Sequence, residues 1–497
     1  MSSTCALPDR SVTGEKVSDR RGQLSWALFE FGRSPYLSLV YIFVFPPYFA
    51  ATVVGDPVAG QQLWSLSNTI GGACVALLAP LLGAIADRTG ARKPWLGSIA
   101  TGIALACFSL WFAMPGANGG LPLWAIVSII AALVALFQFT EVFHNAILPS
   151  IVSTERIGKL SGLGIATGNL GTLIALGIML FAVALPASGI TLGGWLPAKP
   201  LFGLNVGLHE HERIAGPVAA LWLLIFMTPL LLWTPDRANT GVPIGRAVRT
   251  GLQQLLITLK QVRRESNVGW FLIARMLYTD GKTAILAYTG IYAVGVFDWQ
   301  LTQLLLFAIL LTPFSIVGGF IGGWLDAQIG TKRAIQIAIL ATCACMAAAV
   351  SITRETVLFI PVAASSVQVR GPLASFGSLQ ELAYIAVVSL LAVSITAAFS
   401  LSRTLMARIS PPAMMNQFFG LYALSGTATA FLGHAVVGFF TRFSGNQRMG
   451  FASTVLLLIA GWLVLLKVRD HRIEAGGAET GVARRSRARK RRACREY

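Results

Sequence analysis

The sequence predicts an all-α membrane protein of twelve transmembrane helices in two pseudo-symmetric six-helix halves, with both termini in the cytoplasm. Three observations predict it. Of 497 residues, 55% are hydrophobic and only 12% are charged, whereas soluble domains carry about a quarter charged residues. The apolar residues fall into runs of about 20, the length that crosses a hydrocarbon core of about 30 Å at about 1.5 Å per residue. Lys and Arg gather in every second loop between those runs.

The runs lie near 26–50, 62–86, 94–114, 123–148, 160–185, 214–233, 268–294, 301–325, 334–350, 383–406, 418–441 and 449–467. They are apolar on all sides instead of alternating over about ten residues, which excludes a membrane β-barrel. The first 25 residues are polar, with no short apolar core ahead of a small-residue cleavage site, so the first span is expected to stay. Under strict alternation the two tails, with Lys467 at the end of the last span, and the loops around 88–93, 156–159, 237–264, 332–333 and 403–408 hold thirty Lys and Arg. The opposite loops hold six: Lys199, Arg213, Arg354, Arg370, Arg442 and Arg448. Excess positive charge marks the cytoplasmic side.

The formal net charge of +18 is therefore topological in origin. The basic tail RRSRARKRRACREY, beside the last span, fits anionic lipid headgroups better than nucleic acid. Six cysteines, Cys5, Cys74, Cys107, Cys343, Cys345 and Cys494, have neither disulfide-framework nor zinc-site spacing. His209 and His211 lack a third ligand, and no metal or cofactor is expected. No phosphate-binding glycine loop with lysine and no nucleophile and base pair stands out, which argues against a nucleotide-driven pump and against an enzyme.

The polar stretch 234–267 reads as a cytoplasmic linker, dividing the chain into a tail (1–25), a first half (26–233), a second half (268–467) and a basic tail (468–497). The halves echo each other twice. GAIADRTGARK (83–93) leaves the second span and GGWLDAQIGTKR (322–333) leaves the eighth; GLGIATG (162–168) in the fifth parallels GLYALSG (420–426) in the eleventh. An offset of six helices in both cases is the organisation of a transporter that rocks one half against the other. Within the loop, Gly83, Gly90, Gly322 and Gly330 allow close approach, Asp87 and Asp326 cap or pair, and Arg88, Arg92, Lys93, Lys332 and Arg333 tie to neighbouring helix ends. Such a loop is expected to act as a conformational latch, weaker in the second copy, where Ala327 follows Asp326.

The 83–93 loop resembles the signature of the major facilitator superfamily. SWALFEFGRSPYLSLVYIFVFPPYFA, NAILPSIVSTERIGKLSGLG, ARMLYTDGKTAILAYTGIYAVGVFDW and SLSRTLMARISPPAMMNQFFGLYALSGTATAFLG are similar to segments of its UMF1 family, which includes the fungal Atg22-like vacuole effluxer type. The resemblance spans residues 23 to about 468. It implies twelve helices around a central cavity lined by spans one, four, seven and ten, and solute transport, with amino-acid efflux attributed to the fungal branch. The family's first span usually has Asp where Glu30 stands and Asn where Arg33 stands, and its fourth has Tyr at the place of His144.

A charge at the bilayer centre costs about 3 kcal/mol or more and so implies a partner or a wet cavity. Glu30 and Arg33 share a helix face in the first span, Glu141 and His144 repeat that spacing in the fourth, Arg275, Asp280 and Lys282 punctuate the seventh, and Arg403 lies towards the cytoplasmic end of the tenth. Glu30, Arg33, Glu141, His144, Arg275, Asp280 and Arg403 are the expected substrate and coupling residues. Arg33 or Arg275 would hold a substrate carboxylate; Glu30, Glu141 or Asp280 would take the coupling proton or the substrate ammonium. Lys282 faces away from Asp280. The expected function is proton-coupled secondary transport of small solutes, amino acids foremost, with export an allowed direction, by a monomer in the cell's inner membrane. A sugar and cation symporter, since DRTGARKPWL is also similar to glycoside permeases, and a non-transporting membrane scaffold are the alternatives.

Overall fold

The computed structural model describes residues 11, 13, 15–115, 120–153, 156–190, 195–197, 199–238, 240–243, 245–246, 248–251, 253, 257, 260, 266–362, 375–410, 421–422, 425–426 and 428–469, without the side chains of residues 84, 86–89 and 158. The basic tail, most of the central linker, Cys5, Cys494, Arg370 and most of the 420–426 motif lie outside the described residues.

The long helices are α1 (Arg20–Val53), α2 (Pro57–Thr89), α3 (Lys93–Ser109), α4 (Leu123–Ile151), α5 (Ile157–Ile178, prolonged by wide turns over Met179–Ala184), α6 (Ala215–Trp233), α7 (Ser266–Phe297), α8 (Leu301–Ile329), α9 (Thr331–Ser351), α10 (Leu379–Ile409), α11 (Leu432–Ser444) and α12 (Gln447–Leu466). Ten of the helices among the described residues are long and apolar enough to cross a membrane. Neither α7, diluted by Arg275, Asp280, Lys282 and its hydroxyl side chains, nor the 13 described residues of α11 is among them.

Several boundaries move from the expected positions for local reasons. Asp56 caps α2, accepting from the amides of Val58 and Ala59 at 2.8 and 3.2 Å, and Pro57 takes the first helical position, so α2 begins five residues earlier than its apolar run. Ser378 and Glu381 form a capping box that starts α10 at Leu379. The expectation of helices alone needs one amendment: Thr356–Val357 pairs with Ile360–Pro361 in a short antiparallel ribbon after α9.

In α1, Pro35 ends the regular turns, and the chain continues through π-helical turns over Tyr36–Phe43 and Phe49–Val53 on either side of Pro46 and Pro47. A proline cannot donate and its ring crowds the preceding turn, so the backbone widens there. Trp222 fills the gap that Pro35 leaves: its Nε1 donates to the carbonyl of Phe31, four residues earlier, at 3.0 Å.

Within the first half α1 packs on α5 and α6, and α2 and α3 on α4; within the second α8 and α9 pack on α10, and α7 on α12. The halves meet through α2 against α11, α5 against α8, and α1 against α7. Polar contacts between halves collect at the end of the bundle opposite the termini. Gln61 Nε2 donates to Thr441 Oγ1 at 2.7 Å, Gln447 Nε2 to the Pro57 carbonyl at 2.7 Å, and Ser188 and Thr302 share a hydroxyl bond of 2.9 Å. His434 of α11 sits between Tyr41 of α1 at 3.2 Å and Tyr288 of α7 at 3.1 Å, and its carbonyl accepts from Ser65 of α2.

Candidate functional site

The two charged pairs expected on α1 and α4 form one cluster. Three residues apart, Glu30 and Arg33 project from the same face, and Arg33 Nη2 meets Glu30 Oε2 at 3.1 Å. On α4 the same spacing brings Glu141 to 3.8 Å from Arg33 Nη1 and His144 Nδ1 to 3.1 Å from Glu30 Oε1. Phe137, one turn before Glu141, lies under the Arg33 guanidinium at 4.7 Å. Glu30 and Arg33 are largely covered, with side-chain exposures of 17% and 12%, whereas Glu141 is 49% exposed.

His144 is fully buried and held rigidly. Its ring stacks on Trp26 with centroids 4.3 Å apart and planes 6° from parallel. Trp26 Nε1 donates to the His144 carbonyl at 3.0 Å, and His144 Nε2 stands 3.0 Å from the Trp26 carbonyl. A carbonyl only accepts, so Nε2 carries a hydrogen. A neutral imidazole would then turn a lone pair at Nδ1 towards the carboxylate oxygen of Glu30. Two lone pairs at that separation repel, and Nδ1 makes no hydrogen bond among the described residues.

The charges on α7 do not form a comparable cluster. Arg275 is consumed: Nη1 donates to the Tyr422 carbonyl and to Ser425 Oγ, both at 2.6 Å, while its guanidinium lies 3.6 Å over the Tyr422 ring. Asp280 is buried, and its Oδ2 has no hydrogen-bond partner among the described residues. Lys282, expected to face away, holds its Nζ 4.1 Å from the Phe399 ring of α10, and Arg403 lies 5.5 Å from that same ring. Lys282 also stands within electrostatic reach of Arg275, of Arg403 and, from the other half, of Glu141.

The repeated loops diverge in detail. Gly90 and Gly330 both end their helices at φ 85°, a backbone that glycine adopts freely. A Cβ on Gly322 would come within 3.1 Å of Ala397, whereas one on Gly83 would meet nothing within 4 Å. Side chains of Asp87 and Arg88 lie outside the described residues. Asp236 caps the loop instead, accepting from the amides of Arg92 and Lys93 at 2.9 to 3.0 Å, while Arg92 Nη1 reaches the Ala146 carbonyl at 2.6 Å and Lys93 Nζ the Thr234 carbonyl at 2.7 Å. Asp326 is not left short of an arginine: Arg408 of α10 grips both its oxygens, at 2.7 and 2.8 Å, and Thr331 Oγ1 donates to it at 2.7 Å. Lys332 Nζ donates to the Leu466 carbonyl at 3.0 Å, and Arg333 is exposed. None of these bonds joins one half to the other.

Sequence reasoning passed over Asp236, Arg408, Phe399 and the inter-half contacts of Tyr41 and Gln61. A lone histidine in an apolar run reads as a satisfied helix-contact residue, and His434 is one, though the run does not announce Tyr41 and Tyr288 as its partners.

Comparison with known proteins gives a consistent result. The family model described as vacuole effluxer Atg22 like matches residues 50–475. The MFS-type transporter YxiO of Bacillus subtilis (strain 168) is 22% identical over 453 residues, 90% of this chain and 94% of its own. Autophagy-related protein 22 of Yarrowia lipolytica is 24% identical over 346 residues, 65% of this chain and 52% of the fungal protein. Among solved structures, a D-xylose-proton symporter superposes with a TM-score of 0.59 at 12% identity, covering 90% of this chain and 96% of its own. A mutant of the nucleoside transporter NupG gives 0.57 at 13%, covering 89% and 97%. At those identities the likeness is one of fold.

Proposed function

Because the chain belongs to the Atg22-like vacuole effluxer family, and is thus a multi-pass membrane transporter of the major facilitator type, we propose that it moves small solutes, amino acids foremost, by alternating access, coupled to protons and directed outward. In this reading twelve spans form two six-helix halves joined by the 234–267 linker, both termini are cytoplasmic, and the membrane is the cell's inner membrane. The protein acts as a monomer, and its basic tail rests on anionic headgroups. The 83–93 and 322–333 loops brace each half as the halves rock.

The observation that carries the reading is the Glu30 and His144 contact. His144 Nε2 is committed to the Trp26 carbonyl while Nδ1, without a hydrogen-bond partner among the described residues, lies 3.1 Å from Glu30 Oε1, and this reading places the coupling proton there. Arg33, 3.1 Å from Glu30, competes with that proton for the carboxylate. A substrate that draws Arg33 away changes how tightly the proton is held, which links occupancy to protonation. Asp280, with one oxygen lacking a partner among the described residues, is a second carrier on the opposite half. Mixed charge at the interface of the halves suits a zwitterion.

Counterflow in proteoliposomes tests this. Vesicles preloaded with unlabelled amino acids are expected to accumulate the matching labelled solute. Glu30→Gln and His144→Gln are expected to preserve that exchange while abolishing uptake driven by an imposed pH gradient. Gradient-driven uptake at the wild-type rate in Glu30→Gln, in protein that elutes normally, would sink the coupling role.

A further inference from the structure

We infer that Lys282 and Arg403, flanking Phe399, bind the carboxylate of the substrate, and that Glu141 across the interface binds its ammonium group. This rests on the amino-acid reading of the same site, and assigns its two poles.

Few of the cations in the spans are free to take a ligand, and of the two that flank Phe399, Lys282 is half-buried and Arg403 exposed. Arg275 already makes two bonds of 2.6 Å and a stacking contact at 3.6 Å, and Arg33 is matched to Glu30 at 3.1 Å. Each already has partners, although Arg33 Nη1 makes no hydrogen bond among the described residues and stands 3.8 Å from Glu141. Lys282 and Arg403 differ: among the described residues neither has an acidic partner or a hydrogen-bond acceptor, and the contact each makes is with the Phe399 ring, at 4.1 and 5.5 Å. Phe399 and Arg403 are four residues apart on α10 and therefore share a face. Two cations gathered on one ring, with Arg275 near Lys282 as a third, repel one another. An aromatic face attracts each by about 1 kcal/mol, which leaves the half-buried Lys282 without a counter-ion among the described residues. An anion between Lys282 and Arg403 supplies one.

The first half supplies the opposite pole. Glu30 is engaged by both Arg33 and His144, whereas Glu141 is half exposed and its one ion-pair contact, to Arg33, is 3.8 Å, longer than a hydrogen bond. Glu141 and Phe399 each lie ten residues before the ends of α4 and α10, which places both about 15 Å in from those ends. Lys282 lies within electrostatic reach of Glu141. Two cations on one half and a carboxylate on the other thus stand within electrostatic reach of one another. A solute with a carboxylate and an ammonium spans them, and binding it draws the halves together.

The test is counterflow with three probes, leucine, leucinamide and 4-methylpentanoate, in wild type and in Lys282→Gln, Arg403→Gln and Glu141→Gln, each checked for normal elution. The wild type is expected to prefer leucine over both analogues. Lys282→Gln and Arg403→Gln are expected to lose leucine exchange about tenfold or more, since a charge-assisted bond is lost, and to lose discrimination against leucinamide. Lys282→Arg restores it. Glu141→Gln is expected to lose discrimination against 4-methylpentanoate. If the two charges only pair with each other, both variants lose all three probes alike and the swap Lys282→Glu with Glu141→Lys restores exchange, which overturns the assignment. Undiminished preference for leucine over leucinamide in Lys282→Gln overturns it as well. A wild type that exchanges 4-methylpentanoate and no amino acid, and loses it in Lys282→Gln, upholds the anion pole and overturns the amino-acid reading. A wild type that exchanges none of the probes overturns both.

Discussion

Arg275 and Lys282 stand two turns apart on α7 and do opposite work. The Arg275 guanidinium lies flat on Tyr422 and donates twice, a geometry that a lysine cannot reproduce with a single tetrahedral ammonium. Arg275→Lys is therefore expected to lower stability by about 1 to 3 kcal/mol, read as a lower melting temperature by size-exclusion after heating, with the apparent affinity for solute unchanged. That the spans contain charges of functional type was legible from sequence, since an ionised group in an apolar run is costly to insert and must be matched by a partner, a ligand or water. Which charges are already satisfied was not. Their partners are backbone carbonyls, of Tyr422 for Arg275 and of Trp26 for His144, and a carbonyl has no residue type to announce it. Helical spacing turns Lys282 away from Asp280, but spacing does not say that the side it turns towards holds Phe399.

At the scale of the element, the repeated loop shows what a motif can and cannot convey. Spacing alone pairs Gly90 with Gly330, and the two share φ 85°. Spacing also pairs Gly83 with Gly322, yet only Gly322 packs closely on a neighbour. Gly90→Ala forces a Cβ to within 2.2 Å of the Ala238 carbonyl oxygen at a φ that L-residues resist, and is expected to cost about 2 kcal/mol or more. Gly83→Ala meets nothing and is expected to leave stability the same or slightly higher, as alanine is the better helix former. A thermal melt of the two variants side by side checks both. The partners that complete the loops, Asp236 in the first copy and Arg408 in the second, are 143 and 82 residues away from the groups they bind, beyond the reach of any local pattern.

At the scale of the whole molecule, ten of the twelve apolar runs are met by helices of crossing length and hydropathy, because a helix satisfies its own backbone polar groups where lipid offers them no partner. How the halves lean on each other was not legible, since hydroxyls and amides such as Ser188, Thr302 and Gln61 are too common to single out. Cysteines at 188 and 302, in a background free of native cysteine, replace two hydroxyl oxygens 2.9 Å apart. Oxidation is expected to stop counterflow, and reductant to restore it; exchange that persists through full cross-linking would mean that this seam stays shut throughout the cycle. The seam has one further property. Among the described residues the polar bonds across it join uncharged groups, Tyr to His, Gln to Thr, Gln to carbonyl and Ser to Thr, while none of the ion pairs among them crosses it. Parting such a zipper exchanges each neutral bond for one to water, at a net cost of about 1 kcal/mol apiece. Dissolved ions screen charges and leave neutral bonds alone. The ease with which this face opens is therefore governed by how readily water enters it, and stays the same in dilute and in concentrated salt.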